Sequence, residues 1–223
     1  TTTETLRHYD RIGLVKPSKK DEWTNYRYYT EQDIVRLNTV RALQLMDLSL
    51  QEIKKVLDIF SEGIEKVYQG KSIDEIVGIE GYCAQSYFSI FDRLITNKKV
   101  PFSFSLRTKR PPLDPVNALL SFIYTLATSE FASALETVGL DSYIGYCHTL
   151  RSGRVSLACD LVEEVRCIAE RFVLTLLNLQ IIGEKDFETQ ISGAVWLNDE
   201  GRKKVIGRWQ EKKRTMMIHP VLK

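Results

Sequence analysis

The stretch that most limits what this chain can fold into is SLACDLVEEVRCIAERFVLTLL, residues 156–177, which reads as one long helix. Leu157, Leu161, Val165, Ile168 and Phe172 recur at spacings of three and four, which predicts the buried side. Asp160 and Glu163 are three apart, so they share a face one turn apart. A carboxylate pair on a helix that otherwise buries Leu and Val is costly to desolvate unless a positive charge compensates. A divalent cation shared with His148, at the end of the apolar run GLDSYIGYCH (139–148), would compensate it. The plainer alternative puts both carboxylates on the wet face of the helix. Between the two segments lies a basic turn with Arg151, Gly153 and Arg154.

A third donor is offered by GIEGYCAQSYFSIF, residues 78–91, where Glu80 sits between two glycines and opens a run with helical spacing (Tyr82, Ser86, Phe88, Phe91). Two carboxylates and one imidazole suit Mg²⁺ or Mn²⁺ better than Zn²⁺, because hard cations prefer oxygen donors. A zinc site from Cys147, His148 and Cys159 fits no common ligand spacing. The four cysteines, Cys83, Cys147, Cys159 and Cys167, form no Cys-x-x-Cys pair and sit in apolar helical contexts, as reduced packing residues do.

Several blocks in this part of the chain resemble the catalytic, C-terminal part of the CRISPR adaptation integrase, the Cas-one family. They are GIEGYCAQSYF (78–88), RTKRPPLDPVNALLSFIYTL (107–126), GLDSYIGYCH (139–148), SLACDLVEEVR (156–166) and IHP (218–220). The resemblance implies a metal-dependent DNA nuclease and integrase. It places Glu80, His148 and Glu163 on the family's metal ligands and Asp160 on their acidic neighbour, with Mg²⁺ or Mn²⁺ as cofactor. It also implies a Cas-two protein as partner and a homodimer as the assembling unit.

The N-terminal part reads differently. Thr3 can cap a helix with Leu6, Tyr9 and Ile12 inside and Arg7, His8 and Arg11 outside, ended by Gly13. Leu14–Tyr29 reads as a strand-like wing with Lys19, Lys20 and the run TNYRYY (24–29), Arg27 projecting opposite Tyr26 and Tyr28. A basic helix followed by a basic aromatic wing fits phosphate and groove contact. Thr30–Asp33 is a capping box for a helix through Arg41 and Leu45, and Ser49 with Glu52 repeats the device before the stripe Leu50, Ile53, Val56, Leu57 and Phe60. The carriers TLRHYDRIGLVKPS (5–18), NYRYYTEQDIVRL (25–37) and LSLQEIKKVL (48–57) resemble the MerR family of transcription regulators. That resemblance implies a winged helix-turn-helix over residues 1–60, truncated at its start, with Thr2–Arg11 as recognition helix. Residues 61–70 then read as a junction and 71–223 as an integrase-like catalytic domain. The expected fold class is mainly α: a small winged-helix module followed by an all-α metal-dependent nuclease domain. The simplest account of the two resemblances side by side is a composite or engineered chain.

The loop 97–115 carries Lys98, Lys99, Arg107, Lys109 and Arg110, with Phe102 and Phe104 interleaved. Cations with aromatics suit a DNA strand, phosphates on the former and bases on the latter. The expected DNA-contacting residues are therefore Arg7, Arg11, Arg27, Lys98, Lys99, Arg107, Lys109, Arg110, Arg151 and Arg154. Residues 115–136 read as a long buried helix in which Tyr124 is a core residue, and 181–197, with Phe187, Ile191, Val195 and Leu197, as a short hairpin or an irregular turn. Residues 198–214 read as a basic helix, with Trp209 and Ile206 toward the core, and as a second DNA track. Net charge is only +2, so affinity for DNA has to come from local patches. The sequence shows neither a signal peptide nor an unbroken apolar run of membrane-spanning length, which points to a cytoplasmic protein with no membrane partner. The competing functional readings are a MerR-like regulator with a helical C-terminal domain and a catalytically inactive fusion.

Overall fold

The computed structural model describes residues 2–44, 48–97, 99 and 102–215. The expectations at Leu45, at Lys98 and at the 218–220 block lie outside the described residues. The chain forms two compact units, Thr1–Arg93 and Leu94–Lys223.

In the first unit, α1 (Thr3–Arg11) is capped by Thr2, whose hydroxyl accepts from the Thr5 N–H at 3.2 Å. The cap therefore lies one residue before the expected Thr3. Gly13, at φ +69°, turns the chain out of the helix. β1 (Lys19–Lys20) and β2 (Arg27–Tyr28) pair antiparallel as a short two-stranded hairpin within residues 14–29. Both capping boxes form: Thr30 N–H donates to Asp33 Oδ2 at 2.8 Å before α2 (Glu31–Gln44), and Ser49 N–H to Glu52 Oε2 at 3.0 Å before α3 (Leu50–Gln69). Tyr9, Leu14, Val15, Val40, Ile53 and Val56 close the core between these elements. Arg36 braces it, its Nε donating to the Leu14 carbonyl at 2.7 Å and its Nη1 to Ser61 Oγ at 3.2 Å.

Residues 61–70, expected as a junction, are instead the last turns of α3, whose helix runs to Gln69. Gly63 does not break it. A Cβ at Gly63 would lie 2.5 Å from the Sγ of Cys83, on α4 (Ile73–Phe88), so the glycine is what lets α3 and α4 approach. The helix that carries Glu80 thus packs inside the first unit.

In the second unit, α5 (Pro115–Thr137) packs along α6 (Ser156–Asn178). Asp114 caps α5 by accepting from Asn117 N–H at 2.8 Å. By length and composition α5 could cross a membrane, yet Leu119, Leu120 and Ile123 are fully buried, as in a core helix. The buried line of α6 is Ala158, Val162, Ala169, Val173 and Leu176. Of the expected stripe only Phe172 is buried; Leu157, Leu161, Val165 and Ile168 are half-buried beside it. The two alanines explain the shift, since small side chains admit a neighbouring helix closely. The unit is not all-α. β3 (Phe187–Thr189) and β4 (Val195–Leu197) form an antiparallel hairpin, one of the two readings of 181–197, followed by α7 (Asp199–Lys213). Val195 N–H donates to the Pro112 carbonyl at 2.9 Å, which ties the hairpin to the loop before α5. Trp209 is buried, but Ile206 is 40% exposed rather than turned to the core.

Candidate active site

The turn that delivers His148 to α6 is held by a set of hydrogen bonds to one carboxylate. The Asp160 carboxylate accepts the backbone N–H groups of Tyr146 (2.6 Å), Cys147 (3.1 Å) and His148 (3.0 Å), and the His148 Nδ1 lies 2.6 Å from Asp160 Oδ1. Gly145 is required here, because a Cβ would sit 2.8 Å from Asp160 Oδ2 and from Ser156. Burial alone would raise the Asp160 carboxyl; the His148 ring and the three N–H groups outweigh it and hold the group below its ordinary value. An ionised Asp160 fixes Nδ1 as the protonated nitrogen and leaves the Nε2 lone pair to act as a base or metal ligand.

Glu163, one turn along, accepts from Arg166 Nη1 at 2.6 Å. His148 and Glu163 both line a cleft of about 1020 Å³ in the second unit. Its walls also carry Arg107, Lys109, Arg110, Arg151, Arg154 and Arg202. The predicted DNA residues of the second unit therefore gather around the predicted donors, apart from Lys99, which is exposed on its loop, and Lys98, outside the described residues.

Several predicted contacts take other roles. Arg107 is held by the fold: its Nη1 donates to Asn117 Oδ1 at 2.7 Å and its Nη2 to Ser121 Oγ at 3.1 Å. Phe102 and Phe104 are 7% and 4% exposed, and Phe102 meets Phe187 edge-on at 5.5 Å, so neither ring is available to a base. Hydrophobic burial wins over stacking because the loop 102–115 is held against α5 through Asn117, whose amide also donates to the Leu106 carbonyl at 2.8 Å. On α7 the expected basic track is largely neutralised in place: Lys204 pairs with Asp186 (2.5 Å), Lys213 with Glu130 (2.6 Å) and Arg208 with Glu211 (2.9 Å). In the first unit Arg7 and Arg11 are exposed as expected, whereas Arg27 donates from Nε to Asp10 at 2.9 Å and ties the wing to α1.

Glu80 is exposed midway along α4, in the first unit. Among the described residues no three His, Cys, Asp or Glu side chains are grouped to hold a metal ion. The donors in the cleft nonetheless fit a hard cation in kind, an oriented imidazole nitrogen and a carboxylate, with a further carboxylate needed. Zinc on Cys147 and Cys159 fits less well: burial pushes the Cys159 thiol up, away from the thiolate zinc requires.

A network that the sequence did not reveal backs the cleft. The Tyr124 hydroxyl donates to Glu170 Oε1 at 2.6 Å, and Arg166 Nε lies 3.4 Å from the same oxygen. The guanidinium carbons of Arg107 and Arg166 stand 5.5 and 5.1 Å from the Tyr124 ring centre, one cation–π contact each. Burial first, then the Glu170 charge, push the Tyr124 phenol well above its ordinary value, so it remains a donor. The available signal was a polar residue within an apolar helix, as at Asn117 and Tyr124; reading Tyr124 as core missed that it also lines the cleft.

Comparisons with known proteins converge on one family. The family described as CRISPR associated protein Cas1 matches residues 28–211, continuously across the expected junction. A CRISPR-associated endonuclease Cas1 of Moorella thermoacetica is 44% identical over 175 residues, covering 78% of this chain and 50% of that protein. Among solved structures, a casposase bound to integration product superposes with a TM-score of 0.64 at 28% identity, covering 73% of this chain and 49% of the other. A partial Cas6-RT-Cas1–Cas2 complex gives 0.66 at 27% identity, covering 82% and 56%. The chain thus spans about half the length of these relatives.

Proposed function

The chain therefore belongs to the Cas1 family, and on that premise we propose that it cleaves and joins DNA, as a metal-dependent endonuclease and integrase of CRISPR spacer acquisition. The observation that carries the reading is the Asp160-oriented imidazole of His148 opening, with Glu163, into an arginine-lined cleft. Mg²⁺ or Mn²⁺ would be held by Glu80, His148 and Glu163. When bound, it would supply Lewis-acid polarisation of a phosphoryl oxygen and offset charge on the entering or leaving oxygen.

The chain's own residues do the rest. Asp160 holds one tautomer and one ring orientation at His148, at the expense of the rotamer freedom the ring would otherwise keep. Arg110, Arg151, Arg154 and Lys109 bind the DNA phosphates, and their local density supplies what the small net charge does not. Arg166 pairs with Glu163 and offsets the charge of its carboxylate. Arg7, Arg11 and the exposed aromatics of the β1–β2 hairpin form a second DNA-contacting surface of MerR-like type. The helix–hairpin–helix order of residues 1–60 supports it. DNA, a Cas-two protein and a second copy of the chain are the expected partners, and the cytoplasm the expected location. The names of the solved relatives, a Cas1–Cas2 complex and an integration product, support the first two.

The test is Mn²⁺-dependent cleavage of branched DNA. His148→Ala and Glu80→Ala abolish it and leave binding within a few-fold of wild type. Cleavage retained in a clean preparation of either variant overturns the proposal.

A further inference from the structure

We infer that the cleft-facing side of the β3–β4 hairpin, Glu188, Gln190 and Trp196, holds one unpaired base of the DNA strand and prefers a base with an exocyclic amino group to thymine. The inference rests on the DNA-cleaving reading and adds a base site beside the phosphate-binding walls.

The hairpin register sets the geometry. Glu188 pairs with Trp196 across the ladder, and Gln190 follows Glu188 by two, so the three side chains share one face. All three line the cleft. The opposite face is committed to the core, with Val195 and Leu197 buried. The hairpin cannot roll without exposing them.

The two tryptophans of this unit show that Trp196 is not there for packing. Trp209 is buried, meets Phe172 at 5.2 Å, and its Nε1–H donates to Glu130 at 3.2 Å. Trp196 is 44% exposed. Among the described residues its indole N–H has no hydrogen-bond partner, nor has the Gln190 amide or the Glu188 carboxylate. A buried indole ordinarily finds a partner, as that of Trp209 does; the exposed Trp196 leaves its N–H and its ring face open to the cleft. An aromatic face with three unspent polar groups beside it is the chemistry of a base pocket.

Glu188 decides which base. The cleft carries seven arginine and lysine side chains, as befits phosphate, and an acid among them weakens DNA binding unless it meets a donor. Cytosine, adenine and guanine offer an exocyclic amino group with two donor hydrogens; thymine offers the carboxylate only its N3–H, flanked on both sides by carbonyl oxygens that repel it. The indole can stack on a base only when that base has left its duplex partner.

The experiment uses the full chain and short labelled single strands of deoxycytidine or deoxythymidine, with affinity followed against salt. Wild type binds the cytosine strand about tenfold more tightly. Trp196→Ala weakens both strands about tenfold at an unchanged salt slope, because a stacking contact and no phosphate contact is lost. Trp196→Phe, which keeps a ring, restores most of that loss. Glu188→Ala removes the preference for cytosine. Equal binding of the two strands by wild type, a Trp196→Ala variant as tight as wild type, or one with a lowered salt slope overturns the inference. A cytosine preference that survives alongside full cleavage by His148→Ala would sink the nuclease reading and leave the base site standing.

Discussion

The two helices that carry the proposed donors, α6 and α4, are built on opposite plans. α6 buries residues along its length, and each carboxylate near the site is engaged: Asp160 by three N–H groups and an imidazole, Glu163 by Arg166. α4 buries only Phe88 and exposes Ile73, Val77 and Tyr82. Glu80 stands between Gly78 and Gly81, at neither of which a Cβ would meet another atom within 4 Å. The imidazole is thus positioned by hydrogen bonds made within its own unit. The position of Glu80 depends on how α4 docks on α3, and that docking turns on the contact between Gly63 and Cys83. Orientation is specified by polar geometry on one side and by close packing on the other.

The largest effect is expected where the polar geometry is removed. Asp160→Ala should lower Mn²⁺-dependent cleavage by about 10–100-fold, the usual cost of deleting a partner that orients a ligating histidine. The amides of Tyr146, Cys147 and His148 should exchange faster with solvent in the same variant. Full cleavage with those amides still protected would show that the turn holds itself. Acid provides a second way in. The folded carboxyl lies below its ordinary 3.8, so its stabilisation is complete above that value and is lost as pH falls through the lower folded value. Wild type should lose protection of the three amides in that acid range, and Asp160→Asn should show no such limb.

Close packing is tested next. Gly63→Ala places a methyl 2.5 Å from the Cys83 sulfur, inside any real contact distance. Overpacking of this kind costs about 1–3 kcal/mol, read as a lowered urea midpoint of the first unit. Adding Cys83→Ala should recover most of the loss. A double variant no more stable than Gly63→Ala would place the cost in the backbone rather than in the α3–α4 contact.

The same contrast separates what the sequence made legible from what it did not. Caps and helices were readable because their signals are local: Thr30 with Asp33, and Ser49 with Glu52. The gathering of His148, Glu163 and the arginines in one cleft was reached through motif blocks that resemble a family, not through spacing. Residues 61–70 were read as a junction because a glycine that ends a helix and one that, like Gly63, admits a neighbouring helix look identical until Cys83 is placed beside it. Phe102 and Phe104 were misread for the same reason, since interleaved aromatics stack on bases only if the fold leaves them exposed. Lys204 and Lys213 looked unpaired because their partners, Asp186 and Glu130, lie 18 and 83 residues away. Non-local partners are what a one-dimensional reading lacks.

The smallest expected effect sharpens the comparison from the α4 side. Glycine inside a helix costs roughly 0.5–1 kcal/mol relative to alanine through backbone entropy. Gly63 offsets that cost with the α3–α4 approach; Gly78 and Gly81 have no neighbour that requires them. Gly78→Ala and Gly81→Ala should each raise the stability of the first unit by about that amount, seen as a higher midpoint, with cleavage unchanged because the added methyl enters open space. The sign is opposite to that at Gly63 although all three are glycines in helices, and the difference comes only from what stands within reach of the missing Cβ. A lowered midpoint at either position would mean that α4 is held closely there, and Glu80 would then be fixed by packing as firmly as His148 is fixed by Asp160.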